Sequence, residues 1–569
     1  MPRDSEKENM HIRLVGLNAR FTHSCLALFC VRNELEKYCS LAEVVIFQGT
    51  VNDGYYETLL RVTEGGPDAL FFSAAIWNSE LVRRLVGDCR RLLPQVVLVV
   101  GGPQAGEIAA GLPAGCCTIV RGEIEAVGQG FYDDLLQGRL QPLYAGSFLR
   151  LPHRSLAFPY RDEDFVRHLR HRHIYYESSR GCPFSCSYCL SAAERGVWHK
   201  DLDQVCAELG EILRHRPRVV RFVDRTFNDN PDRALAIWEF LVPRGGETLF
   251  HFEIAPDRFN EETFDFLAQV PPGMFQFEIG IQSTNDDTLA AIDRRIDPLQ
   301  ARELVRRLAA AANIHLHVDL ILGLPHETGE AFLKSFADVF AMEAHYIQMG
   351  LLKLLPDTPI RHEAEAHSYL FCAEPPYSVL ANRWLTHGEL ADLYWFCECV
   401  EKFHNNRFFV SLWRYLRHSD EDIAGFFQGL LAVCREHGFF GLAATQELMC
   451  SLLSRHCAGR TDEGLISDLL RYDWLRCGHR LLPPFLALEA GRESPGATKD
   501  RLYQTMPAEH GGVYGRGEKN HFFRKAVFLR LSSEAAGMLG LAVSGDGIDL
   551  CFSAERDDSL FRFNRVVDC

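Results

Sequence analysis

The stretch YESSRGCPFSCSYCL, residues 176–190, sets Cys182, Cys186 and Cys189 at C-x3-C-x2-C spacing. Thiolates are soft ligands suited to an iron–sulfur cluster or to zinc. Three close cysteines with no obvious fourth leave one metal position open. An open position is what a catalytic centre needs and a structural one avoids. The alternative is a zinc site completed by Cys206. Zinc ribbons favour paired two-residue spacings, and Cys206 falls in a helical pattern with Leu202, Val205, Leu209 and Leu213, where a core role suits it.

Outward from the triplet, HIYYES just before it is the first of six strand-like runs. RVVRFV, ETLFHFEI, MFQFEIGI, IHLHVDLIL and HYIQMGLLK follow, with helical patterns after the first five. Six parallel units in sequence predict an incomplete barrel related to the eight-fold one, and the cysteine loop then sits at its C-terminal face, where barrel active sites lie. Polar residues stand near the ends of these apolar strands: Asp224, Arg225 and Thr226, then Glu253, then Glu278, Gln282 and Ser283, then Asp319 and Gly323. Burying such groups unpaired costs roughly 2–7 kcal/mol each. A ring of them at one face suggests a polar ligand.

Residues 11–137 also alternate strand and helix. HIRLVGL, AEVVIF, DALFFSA, VVLVVGG and CTIV are short apolar runs, and residues 79–93 show helical spacing. This pattern predicts a parallel sheet covered on both faces. It contains no G-x-G-x-x-G and no Walker loop, so neither dinucleotide nor ATP binding is favoured. Gly101, Gly102 and Pro103 in LVVGGPQAG, and Gly122 and Glu123 in IVRGEIEAV, follow strands, where glycine lets a backbone approach a bulky ligand.

Residues 138–172 are rich in proline and lack a period, which reads as a linker. From about 371 the pattern turns helical and aromatic, with Tyr394, Trp395, Phe396, Phe403, Phe408, Phe409, Trp413 and Tyr415 spaced as helix core. Two strand-like runs close the chain, and Asp546–Gly547 is a good hairpin turn. KNHFFRK at 519–525 is either a basic docking patch or a solvated turn. The chain of 569 residues suggests three domains. Its net charge of −16 disfavours wrapping nucleic acid. No run of eighteen apolar residues and no signal peptide are present, and nineteen cysteines suit a reducing compartment, so a cytoplasmic location is expected.

The cysteine loop, with the aromatic Tyr188 before its last cysteine, resembles that of the radical S-adenosylmethionine (SAM) superfamily. The resemblance implies a [4Fe–4S] cluster on Cys182, Cys186 and Cys189, whose open iron chelates SAM and cleaves it to a 5′-deoxyadenosyl radical. Tyr188 and the strand-end residues Asp224, Thr226, Glu253, Gln282, Ser283 and Gly323 then fall where the family binds SAM. The usual Gly-Gly-Glu of the second strand is absent, so Asp224 and Thr226 are substitutes by position. The first domain resembles the cobalamin-binding domain of one radical SAM class. Ser73, Gly101, Gly102, Pro103, Gly122 and Glu123 take the places of its cobalamin loops. Many cobalamin proteins carry D-x-H-x-x-G after the first strand. Here NARFTHSCL keeps His23 but sets Phe21 and Leu26 where Asp and Gly would stand, so cobalt without a lower protein ligand is expected.

The fold expected is α/β: a doubly wound, Rossmann-like cobalamin-binding domain at 11–140, a linker at 141–172, a partial (β/α)6 radical SAM barrel at 173–365, and a mainly helical C-terminal domain with a small β portion at 371–569. The resemblance implies a cobalamin-dependent methyltransferase acting on an unactivated carbon, served by a flavodoxin or ferredoxin. The same cofactors could drive a cyclisation or rearrangement, and a non-catalytic cobalamin or redox sensor is a reading of another class. RNA methylthiolation is disfavoured, because Cys25, Cys30, Cys39, Cys89, Cys116 and Cys117 form no clear cluster pattern.

Overall fold

Strands buried on both faces read as continuous apolar runs, and five such runs become β1 (His11–Asn18), β2 (Glu43–Thr50), β3 (Ala69–Ser73), β4 (Val97–Gly101) and β5 (Thr118–Gly122). The computed structural model describes residues 10–193, 196–488, 492–542, 545 and 547–569. Asp546, and with it the expected hairpin turn, lies outside the described residues. The chain forms two compact units, the first made of Met1–Thr263, Ile292–Arg294 and Lys353–Leu380, the second of the remainder.

In the first unit a parallel sheet runs in the order β2-β1-β3-β4-β5-β6. Its edge strand, β6 (Leu143–Gly146), lies in the stretch read from sequence as linker. Four residues, LYAG, are too short to show a period, and only pairing with β5 makes them a strand. Helix Ser79–Leu92 turns Val82, Leu85, Val86 and Cys89 onto the sheet at helical spacing, against Val15, Leu70, Phe72, Leu98 and Val100. The order reverses between β1 and β3, and open α/β sheets bind ligands at the carboxyl ends of strands beside such a reversal.

The first unit also holds the start of the barrel. β7 (Ile174–Tyr176) is followed by an antiparallel hairpin, β8 (Ser179–Cys182) with β9 (Gly196–His199). β10 (Val219–Phe222) then pairs in parallel with β7 and with β11 (Leu249–Ile254). The hairpin is absent from the pattern of apolar residues. It depends on a close backbone approach at Gly181, whose φ is +102°, and a Cβ there would stand 2.1 Å from the Gly196 carbonyl oxygen.

Buried charges pin the connecting segment down. Arg32, on helix Leu26–Tyr38, donates to both carboxylate oxygens of Asp164 at 2.7 Å, and the two side chains are 5% and 1% exposed. Arg32 also donates to the Pro159 carbonyl. Farther on, Lys200 and the Tyr176 hydroxyl both donate to Glu208 at 2.7 Å, tying β9 and β7 to helix Leu202–Arg214.

In the second unit β12 (Phe275–Gln282), β13 (His315–Leu322) and β14 (Tyr346–Leu351) pair in parallel. All six strands expected of the barrel are thus present, three in each unit. Helix Gly329–Phe340 packs Phe336 and Phe340 against Phe427, and Phe336 also meets Phe396, in the helical region that follows. Phe396, Phe403, Phe409 and Trp413 are core there, while Tyr394 and Trp395 are 41% and 38% exposed. Residues 519–525 form a short helix, Lys519–Lys525, which buries Phe522 and Phe523. Three antiparallel strands, Val527–Ser532, Gly547–Arg556 and Asn564–Asp568, supply the small β portion. No described helix is long and apolar enough to cross a membrane.

One carboxyl in this unit is buried without a cation. Glu327 accepts from the Ser283 hydroxyl at 2.6 Å through Oε1, and its Oε2 is buried with no partner among the described residues. Burial pushes its pKa up to about 8, with the Ser283 and Ser335 hydroxyls opposing.

Asp164→Ala should cost about 3–5 kcal/mol in urea denaturation, because it strands a buried guanidinium, while Arg32→Met combined with Asp164→Leu should recover most of the loss. A single-variant loss below about 1 kcal/mol would refute this account of the pair. For Glu327 the folded pKa lies above the unfolded one, so the folded state holds a proton that the unfolded state has released. Its contribution to stability is intact below about pH 4.5 and is lost as pH rises towards about 8. Glu327→Gln should therefore gain on the wild type across that window, by on the order of a few kcal/mol at its upper end. Melting curves at pH 5 and pH 8 with an unchanged difference would disprove it.

Candidate active site

The cysteines sit where β8 ends and in the loop leading to β9. Cys182 and Cys186 are 9% and 5% exposed, and Cys189 is half-buried. The loop is held from several sides: Cys189 N–H donates to the Cys186 carbonyl at 3.0 Å, Ser187 N–H to the Ile292 carbonyl at 2.9 Å, and Ile360 N–H to the Ser187 carbonyl at 3.0 Å. The Ser185 hydroxyl donates to Asp293. Arg294 reaches Cys186 Sγ at 3.7 Å and lies over the Phe184 ring. Burial pushes the Cys182 thiol up, and the neighbouring Cys189 and Cys186 add to the shift. Among the described residues no three His, Cys, Asp or Glu side chains gather as ligands of one metal ion. A cluster does not ask for that, since each thiolate binds its own iron.

Asp224 and Thr226, on the loop after β10, meet this segment directly. Asp224 is 1% exposed and accepts from the Ser178 and Ser179 hydroxyls at 2.6 Å and from Ser178 N–H at 3.0 Å. It clamps the turn between β7 and β8. Burial raises its pKa, and these three donors oppose the rise. Thr226 Oγ1 stands 3.7 Å from Cys182 Sγ. Tyr188 is largely enclosed, and burial pushes its hydroxyl well up. Glu253 lies on β11, and its carbonyl accepts from Phe227 N–H. Asn228, which the sequence reading passed over, joins the loops after β10 and β11 by paired bonds with Ala255 at 2.8 Å.

Gln282, Ser283 and Gly323 belong to the second unit. Gln282 ends β12 at a φ of +73°, and its Oε1 is buried with no partner among the described residues. Ser283 is fully buried and spends its hydroxyl on Glu327. Gly323 follows β13 with a φ of +94°, and its carbonyl accepts from Asn382 at 3.0 Å.

Ser73, Gly101, Gly102, Gly122 and Glu123 line one cavity of 270 Å³ at the carboxyl ends of β3, β4 and β5, walled by apolar residues of β1 and helix Leu26–Tyr38. Gly102, at a φ of +97°, could not carry a side chain: a Cβ would stand 2.4 Å from the Ala74 carbonyl oxygen. Pro103 and His23 are not among the lining residues. His23 Nδ1 meets the Tyr175 hydroxyl at 2.5 Å, and burial, with Arg221 and Arg20, lowers its pKa.

Three residues unremarked in the sequence complete this wall. Arg180, on β8, donates to Glu177 at 2.7 and 2.9 Å and to Glu125 at 3.3 and 3.4 Å, and stacks on Phe148. Arg180, Glu125 and Glu177 are 14%, 11% and 18% exposed, and all three line the cavity. One buried guanidinium therefore connects the glycine loop after β5 with the strand that carries Cys182. Only the charge and the spacing of RGEIE and YESSR hinted at it.

Residues 176–339 match the Radical SAM superfamily. Residues 365–509 match a family described as "Protein of unknown function (DUF4080)". The 2-(S-pantetheinyl)-carbapenam-3-carboxylate methyltransferase of Streptantibioticus cattleyicolor is 24% identical over 64% of this chain and 60% of its own length. The cobalamin-dependent radical SAM methyltransferase TokK of Streptomyces tokunonensis is 25% identical over 53% of this chain and 49% of its own. The chain thus spans 60% and 49% of these two relatives' own lengths. The solved structure of the cobalamin-dependent S-adenosylmethionine radical enzyme OxsB shares the fold, with a TM-score of 0.56 at 13% identity over 82% of this chain and 80% of that one. Cluster loop, six strands and family match converge: the chain carries a radical SAM domain at residues 176–339, followed by a DUF4080 domain.

Proposed function

We propose that this chain is a cobalamin-dependent radical SAM methyltransferase acting on an unactivated carbon. The observation that carries this reading is the glycine-lined cavity after β3, β4 and β5, joined through Arg180 to the strand bearing Cys182. Cys182, Cys186 and Cys189 would hold a [4Fe–4S] cluster, and the cavity loops would hold part of a cobalamin. When bound, the cluster supplies the electron that cleaves SAM, and cobalamin carries the methyl group.

The residues of the chain do the rest by position and charge. Arg294 would place a guanidinium donor beside the Cys186 sulfur. Thr226 offers the Cys182 sulfur a hydroxyl. Asp224 fixes the turn from which the cluster strand begins. Glu123 takes the Phe148 N–H at 3.1 Å, which orients the loop after β5. Gln282 and Gly323 are carried as SAM-binding residues on the resemblance, and the DUF4080 region is the candidate for substrate choice. A low-potential flavodoxin or ferredoxin would deliver the electron.

Protein purified without oxygen from cobalamin-fed cells should contain about four irons and about one cobalamin per chain. Replacing the three cysteines together by alanine should abolish the iron and leave cobalamin bound, because the cavity does not include them. With reductant and SAM, the intact protein should release both 5′-deoxyadenosine and S-adenosylhomocysteine. Iron without cobalamin would remove the methyl carrier from the reading. Both cofactors with no S-adenosylhomocysteine would rule out methyl transfer.

A further inference from the structure

A second cavity of the first unit lies at the opposite, amino-terminal ends of barrel strands β7 and β10, with a volume of 750 Å³. Two loops form it. Arg170, His171, Arg172 and His173 lead into β7, and His215, Arg216 and Arg218 lead into β10. Half of its fourteen lining residues are arginine or histidine and none is acidic, in a chain whose net charge is −16. Such a concentration of one sign is costly unless something anionic offsets it.

The partners of these groups sharpen the point. Arg172 is engaged, donating to the His23 carbonyl at 2.7 Å and lying over the Phe21 ring. His215 stacks on Phe165 at 3.9 Å and meets Asp162 at 3.1 Å. The side chains of Arg170, Arg216 and Arg218 are exposed and make no hydrogen bond or ion pair among the described residues. His173 Nδ1, also in the lining, is buried without a hydrogen-bond partner among the described residues. His171 and Arg216, one in each loop, are held at φ values of +62° and +47°. A non-glycine residue in that region is uncommon, and such strain gathers at ligand clamps.

We propose that this cleft binds a ligand carrying a diphosphate, with Arg170, Arg216 and Arg218 as its anion contacts. Guanidinium forks match phosphoryl oxygens in geometry and charge. Three guanidinium charges exceed the roughly two negative charges of one phosphate, and a concave site of this volume suits a small molecule better than a flat protein surface. The site is independent of the proposed methyl transfer, since it shares no lining residue with the glycine-lined cavity and none of the three cysteines.

The test is calorimetry on the cofactor-loaded protein with inorganic pyrophosphate and with ADP, at fixed ionic strength. Saturable binding is expected, weakened about tenfold or more in Arg216→Ala combined with Arg218→Ala. Unchanged iron content and melting temperature would report an intact fold. Should that double variant misfold, Arg170→Ala supplies the same comparison. Equal affinity for the two ligands would assign recognition to the diphosphate alone, and tighter ADP binding would add its nucleoside; both support the site. Absence of saturable binding, affinity indifferent to the arginines, or capture of an acidic protein or oligonucleotide without diphosphate binding would overturn it.

Discussion

The guanidinium of Arg180 lies largely out of water between the carboxylates of Glu125 and Glu177. Its position on β8 makes it the physical join between two pieces of chemistry built far apart in the sequence. On one side is the glycine loop after β5, on the other the strand that ends in Cys182. A largely enclosed charge is costly to leave unpaired, so separating the two loops would strand this guanidinium. The cavity and the cysteine loop are therefore one construction within the first unit, and the stacking of Arg180 on Phe148 draws the segment after β6 into the same joint.

Other buried charges follow the same logic with different purposes. Asp224 spends its oxygens on the turn that launches β8. Arg32 and Asp164 hold the connecting segment to the first sheet. Glu327 differs in lacking a cation, and its carboxyl keeps its proton over most of the neutral range. A neutral acid beside Ser283 can donate as well as accept.

Much of this architecture is legible in the sequence because its signals are local. The cysteine spacing, the six apolar runs and the glycines of the first sheet each need only a few neighbouring residues to be read. What escapes is set by distant partners. Ile292 and Ile360 anchor the cysteine loop through backbone bonds that no side-chain pattern announces. β6 is a strand only by its pairing with β5. Arg180 reads as one surface charge among many until Glu125 is brought beside it. Asp224 and Ser283 stand out as polar residues at strand ends, but their geometry shows hydroxyl–carboxylate bonds whose partners lie elsewhere in the chain. The family match agrees with the cysteine loop and the barrel strands, which are the parts whose signals are most local.

The first unit is assembled from three separated stretches of chain, and this has a consequence for its birth on the ribosome. Ile360, which secures the loop at Ser187, is made about 170 residues after Cys189. At roughly 5–20 residues per second that is on the order of ten to thirty seconds. Throughout that interval the three thiols have emerged while part of their scaffold does not yet exist. Loading with iron and sulfide, and protection from oxidants, must therefore be reconciled with a nascent chain whose cysteines are exposed early and enclosed late.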